Sequence, residues 1–232
     1  MARKLLRWLA WTLALALAAL LLLQCWYFAH LLWYRSHNPE ETAFMAMRRV
    51  ELRAKSQEPR IRQQWLPYQK ISVHLKRAMI AAEDAKFVDH EGFDWDGIQR
   101  ALEKNQKKGR VVAGGSTISQ QLAKNLFLSG SKSYLRKGEE ALITVMMEAV
   151  LEKQRIFEIY LNVIEWGNGV FGAEAAARHY FGVSAADLSA EQAARLAAMA
   201  PNPRFYDKHR ETKGLAKKIP IIMQRMPGAE LP

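Results

Sequence analysis

Apolar residues run almost unbroken from Trp8 to Ala29, with Gln24 as the only strongly polar side chain and neither Gly nor Pro. As a helix this run reaches ~33 Å, enough to cross the hydrocarbon core of a bilayer. Ala16-Leu17-Ala18 has the small-x-small form of a cleavage site, but Leu20 to Leu23 follow it. A cleaved signal peptide is normally followed by polar mature chain. Cys25 is a poor site for lipoprotein processing, because bulky Leu23 and Gln24 precede it. The pattern therefore predicts an uncleaved anchor. Trp26, Tyr27, Phe28, Trp33 and Tyr34 suit its far interface, and Arg3, Lys4 and Arg7 place its N-terminus in the cytoplasm. Residues after about 35 then lie outside, which in a bacterium is the periplasmic face of the inner membrane.

The rest of the chain is patterned as helix. Residues 36–70 are polar and basic, broken by Pro39, Pro59 and Pro67, and read as a linker with one helix from Phe44 to Ala54. Ser72 is placed to cap a helix over Val73–Glu83, Asp94 one over Trp95–Asn105, and Ser116 one running to Phe127. A dense apolar pattern over residues 140–164 predicts one long helix or two. Ala173–Tyr180 forms another, stopped by Gly182. Ser189 with Gln192 has the form of a capping box, on a helix that ends before Pro201. No long alternating strand pattern and no internal repeat occurs. The expected organisation is an anchor over residues 1–34, a membrane-proximal linker over 35–64, and one mostly α domain over 65–232.

Charge narrows the partners. The 232 residues carry 34 Lys plus Arg against 23 Asp plus Glu, a net +11, and a single Cys. One Cys excludes an internal disulfide framework and a cysteine zinc site. The surplus suits an anionic partner: nucleic acid, an anionic membrane or a phosphorylated substrate. An outside location argues against chromosomal DNA. The basic run Lys104, Lys107, Lys108 and Arg110 also lacks the aromatic residues that stack bases. It reads as a solvated loop, open to contact with lipid phosphates.

Three strings carry candidate chemistry. Residues 83–94 crowd Glu83, Asp84, Asp89, Glu91, Asp94 and His90 together. Most such runs are solvated acidic loops. Glu83, however, ends an apolar helix. A carboxylate at an apolar rim has its charged form disfavoured, which suits a general base or acid. Neither a zinc-protease nor an EF-hand spacing is present. The second string is Gly114-Gly115-Ser116-Thr117-Ile118-Ser119-Gln120-Gln121-Leu122-Ala123-Lys124-Asn125. Its bland reading is a capped helix. Its functional reading is an anion site at free N–H groups of a helix start, with Gln120 and Lys124 on one face. The third is Arg136-Lys137-Gly138-Glu139-Glu140, a surface ion-pair cluster or an anion clamp beside a second carboxylate.

Together these strings resemble glycosyltransferase family 51, the peptidoglycan polymerases. Glu83, Asp84, Phe87, His90, Gly92 and Asp94 match its first motif, Gly114 to Asn125 its second, and Arg136, Lys137 and Glu140 its third. Lys153, Ile156, Glu158, Tyr160, Leu161 and Asn162 match a fourth. Arg195-Leu196-Ala197 leading to Pro201 fits a looser fifth. The length and lone anchor resemble the monofunctional branch. A stray Ser129-x-x-Lys132 has no later K-T-G, and no room remains for a transpeptidase domain.

The resemblance implies a lysozyme-like helical fold and an inverting transfer. Its substrate is lipid II, a disaccharide-pentapeptide on undecaprenyl pyrophosphate, with the growing lipid-linked glycan as co-substrate. Glu83 would deprotonate the acceptor 4-hydroxyl. Glu140 is the second family carboxylate, and Ser116, Thr117, Gln120, Gln121, Lys124, Asn125, Arg136 and Lys137 would bind substrate. The residues mark no metal site, and because some family members are helped by Mg or Mn, the resemblance leaves open an ion at the pyrophosphate. Division or wall-synthesis proteins are further partners in the family. His90, Tyr160, Asn162 and Glu158 read as structural contacts. Two rivals remain at this level. A lytic transglycosylase or lysozyme-like hydrolase has little use for the second and third strings, and a non-catalytic scaffold needs neither carboxylate.

Overall fold

A computed structural model describes residues 1–54, 60–110, 114–131 and 133–232. Pro59 of the expected linker and Lys132 of the stray serine motif lie outside the described residues. The apolar N-terminal pattern forms α1 (Ala2–Trp33), long and apolar enough to cross a membrane, with a mean hydropathy of 2.0 and no burial in its most apolar window. Among the described residues, only its C-terminal end meets the rest of the chain. There Tyr27 and Leu31 are buried. The Tyr27 hydroxyl donates to Glu139 Oε1 (3.0 Å), and its ring meets Phe127 edge-on at 5.2 Å.

The stretch expected as a linker contributes two elements to the domain. α2 (Ala43–Arg53) is capped by Thr42 and held by Arg48, whose Nε and Nη2 both donate to the Glu165 carboxylate at 2.7 Å. β1 (Arg62–Gln63) pairs in parallel with a strand more than a hundred residues later.

α3 (Val73–Glu83) starts at Ser72, whose Oγ accepts from His74 N, and presents Leu75, Ala78, Met79 and Ile80 to the core. Burying each such large apolar side chain contributes about 1.5–3 kcal/mol. α4 (Trp95–Lys108) starts at Asp94 and closes on left-handed Gly109. The lysines of the basic run are thus the exposed end of a helix and not a loop, and Arg110 follows the closing Gly109. These lysines, being exposed, do not disturb the helix, and Lys107 and Lys108 favour its C-terminal dipole.

α5 (Ile118–Phe127) starts one residue later than expected, with Thr117 and not Ser116 as its cap. The reason is local. Thr117 Oγ1 accepts from Gln120 N, and Gln120 Oε1 accepts from Thr117 N, a reciprocal box that Ser116 has no matching side chain to make. The pattern over 140–164 resolves into two helices, α6 (Tyr134–Val150) and α7 (Lys153–Val163).

Three very short strands form a sheet in the order β1-β3-β2, with β2 (Glu165–Gly167) antiparallel to β3 (Val170–Phe171). Strands of two or three residues show no alternation, so the sequence pattern did not announce them. Gly172 turns β3 into α8 (Ala173–Phe181) at φ +80°, with its Cα face against the Asn162 carbonyl. α9 (Ala190–Met199) has the expected Ser189–Gln192 box and packs on α3. α10 (Pro203–Lys208) and α11 (Lys213–Arg225) complete the chain, with α11 covering α3 and α9. The architecture is mostly α. Its core centres on Phe87, Phe157, Tyr160, Trp166 and Phe171, all fully buried.

Candidate active site

α3 ends at Glu83 because the next residue, Asp84, leaves the helix with φ −160° and ψ 78°. The two adjacent carboxylates then diverge. Asp84 turns inward and is buried. One oxygen accepts from Ile118 N at 2.9 Å, at the first turn of α5. His90 Nε2 donates to both Asp84 oxygens, at 3.0 and 3.2 Å. The proton is on Nε2 because Gly92 N donates to Nδ1 (3.1 Å). Thr117 Oγ1 in turn donates to the Gly92 carbonyl at 2.7 Å.

These bonds weld the first string to the second. They also correct the expectation of free N–H groups at the start of α5. That helix start does hold an anion, but the anion is the chain's own Asp84. Thr117 and Gln120 are likewise buried and spent on the capping box.

Glu83 turns the other way, into a cleft, and is half-buried. Gln121 Nε2 donates to its Oε2 at 2.8 Å, and the buried Tyr160 hydroxyl donates to Gln121 Oε1 at 3.1 Å. The phenol therefore fixes which end of the amide faces the carboxylate. Burial raises the Glu83 pKa above the usual carboxylate range, against the opposing pull of Gln121, Lys218 and Lys124. This is the tuning a general base needs.

The cations gather one helical turn further on. Buried Glu140 accepts from Arg136 Nη1 (2.7 Å) and from Lys137 Nζ. Lys137 Nζ also donates to Ser116 Oγ at 3.3 Å, and Arg136 Nε to the Ser131 carbonyl at 2.5 Å. Lys124 stands 5.6 Å from the Phe44 ring centre, and burial lowers its pKa, with Glu140 pulling the other way. Three cations thus surround one buried carboxylate, leaving a positive surplus beside Glu83. A cavity of about 370 Å³ joins the parts, lined by Glu83, Ser116, Gln121, Lys124, Asn125 and Tyr160 among others. Asn125 Nδ2 donates to the Gln121 carbonyl at 2.7 Å, which fixes its amide at the cavity wall.

Glu140, the carboxylate nearest the cations, offers no free oxygen to an ion at the pyrophosphate. Both Glu140 oxygens already carry a cation, and among the described residues no group of three His, Cys, Asp or Glu is placed to hold an ion.

Residues 51–227 match the family model described as "Transglycosylase". The chain belongs to this transglycosylase family. Relatives named "Biosynthetic peptidoglycan transglycosylase" agree over nearly full length. One from Dechloromonas aromatica is 64% identical over 226 residues, 97% of this chain and 98% of the relative. Others from Methylobacillus flagellatus and Chromobacterium violaceum are 63% and 62% identical, each over 95% of this chain and 96% of the relative. The lysozyme-like helical fold expected from the motifs is the fold of this family.

The structure brings Glu83, Gln121, Lys124 and Asn125 to one cavity, with Ser116 at its edge. Arg136 and Lys137 are outside that lining; Lys137 reaches it through Ser116, and Arg136 is tied to Lys137 only through Glu140. Three participants were not singled out by the sequence as site residues. Tyr160 was read as core, and it is core, but its hydroxyl also orients Gln121. Asp84 anchors α5 across 34 residues of chain. Lys218, on α11, lines a further cavity with Glu83. No local motif marks Lys218, because its role comes only from how α11 lies on α3.

Proposed function

We propose that the chain is a membrane-anchored peptidoglycan polymerase. It joins the growing lipid-linked glycan to lipid II through a β-1,4 bond and releases undecaprenyl pyrophosphate. The observation that carries this reading is Glu83, held by the Gln121–Tyr160 relay in the same cavity as Lys124. Glu83 Oε accepts the proton of the acceptor 4-hydroxyl, which is too weak a nucleophile without a base. That oxygen attacks C1 of the donor sugar while the C1–pyrophosphate bond breaks. The leaving group departs as an anion, so positive charge helps it more than a strong acid would. Lys124 supplies that charge directly, and the Arg136–Lys137 pair adds to it. Glu140 is buried between two cations, which holds them in place and leaves it unfit as a nucleophile. The other carboxylate lining this cavity, Glu165, is held on both oxygens by Arg48 and is not free to form a glycosyl intermediate, so displacement is direct and the anomeric centre inverts. α1 serves as the anchor, with its N-terminus cytoplasmic and the cavity outside, where Tyr27 ties the anchor to the cation-bearing α6.

Purified full-length protein is expected to convert lipid II into uncrosslinked glycan. Glu83→Gln is expected to lose that activity by about 10²–10⁴-fold while folding normally. Undiminished polymerisation by the variant overturns the base assignment. Release of sugars from finished glycan, without lipid II consumption, overturns the polymerase reading in favour of a glycan-cleaving enzyme.

A further inference from the structure

Glu83 lines not one cavity but several. Behind the cavity shared with Lys124 lies another of about 160 Å³, bounded by α3 on one side and α11 on the other. Its floor is apolar (Ala81, Ala197, Ile222), and its charged lining residues besides Glu83 are Lys218 and Arg225. These two lie seven residues apart on α11, about 10 Å along the axis and on one face. Both are exposed. Neither makes a salt bridge or side-chain hydrogen bond among the described residues. They therefore differ from Arg136 and Lys137, which both pair with Glu140. Two unbalanced cations at the mouth of an apolar cleft, flanking the base, form a receptor for an anion. Arg adds a planar fork that can hold two oxygens at once.

Resting on the polymerase reading, the chemistry asks for such a receptor. Both reactants of that reaction carry anionic groups, and in that reading the Lys124 side of Glu83 receives the departing pyrophosphate. The other reactant must present its hydroxyl to Glu83 from another direction. We propose that Lys218 and Arg225 form an anion-binding subsite for the acceptor, engaging its pyrophosphate or the carboxylates of its stem peptide. Lys218 has a second effect, since its charge partly offsets the burial that raises the Glu83 pKa. Arg225 is not among the main groups acting on Glu83, which makes it the cleaner probe.

The test is initial-rate kinetics of the full chain in detergent, on lipid II and on its peptide-free counterpart. Arg225→Gln is expected to raise KM about tenfold with kcat nearly unchanged, the loss of one charge-assisted contact. Arg225→Lys should restore much of that loss. Lys218→Gln should raise KM similarly. If the KM increase persists on the peptide-free substrate, the anion is the pyrophosphate; if it disappears there, the anion is the peptide carboxylate. A KM ratio near one on both substrates overturns the subsite, as does a fall in kcat at constant KM, which would mean the cations act only on Glu83. Wild type that fails to consume lipid II would instead sink the underlying polymerase reading.

Discussion

Tyr160→Phe isolates the relay behind the base. The ring is fully buried, so Phe keeps the packing and removes only the hydroxyl that donates to Gln121 Oε1 at 3.1 Å. Burial, with the charges of Glu83 and Asp84, pushes the Tyr160 pKa well above its ordinary value, so the phenol is a donor at every pH an assay would use. Losing a neutral hydrogen bond costs about 1 kcal/mol, and up to about 3 if the Gln121 oxygen is left without a partner. At roughly 2–4 °C per kcal/mol for a domain of this size, Tm should fall by roughly 2–12 °C.

The catalytic effect has a different signature. Without the phenol, Gln121 can present its oxygen to Glu83 in place of its N–H, and the carboxylate loses a donor. A charge-assisted bond is worth about 1.5 kcal/mol or more, and one pKa unit is about 1.4 kcal/mol, so the Glu83 pKa should climb by about one further unit. A base works only when ionised. The acid limb of kcat/KM for lipid II polymerisation should therefore move up by about one pH unit. Activity should fall up to about tenfold on the limb and recover on the alkaline side. Parallel pH profiles of the two proteins, measured by initial rates, decide the matter. If the variant is slower by one constant factor at every pH, with an unmoved acid limb, the relay argument is wrong and Tyr160 only packs.

Two further expectations concern stability. Because folding raises the Glu83 pKa, the ionised carboxyl is disfavoured in the fold. Its contribution is present in full below the unfolded carboxylate pKa and is lost as pH rises through the higher folded value. Glu83→Gln should thus melt higher than wild type at pH 8, with the gap closing toward pH 4; a gap independent of pH would contradict the burial argument. Gly172→Ala should cost about 1–3 kcal/mol in chemical denaturation, because φ is +80° and the new Cβ would sit 2.5 Å from the Asn162 carbonyl oxygen. An unchanged denaturation midpoint would show that the β3–α8 turn relaxes freely.

What could be read in the chain divides along the range of the interaction responsible. Ser72, Asp94 and Ser189 each cap a helix through a backbone N–H two or three residues away, and all three were legible. The Ser116 error was local too, and avoidable. A reciprocal box needs Gln or Glu three residues after the cap. Gln120 satisfies that for Thr117, whereas Ser119 would have to do so for Ser116. The identities of Glu83, Lys124 and Glu140 came from motif strings, again short-range information. What stayed hidden came from elements far apart in sequence. Nothing within a dozen residues of α5 says that its N-terminus is already filled by Asp84. Nothing near Glu83 says that burial raises its pKa while Gln121, 38 residues on, and Lys218, from the last long helix, both pull it back down. That helix contains Pro220, and the pattern assigned no element beyond Pro201. The proline is tolerated because it removes the hydrogen bond to the carbonyl of Ala216, an exposed position that water can serve. The motif therefore named Glu83 as the candidate base, but the burial and neighbours that shift its ionisation come from where the end of α3 meets Gln121 of α5 and Lys218 of α11. A substitution on α11 that leaves every motif residue intact should still change the pH at which the enzyme works.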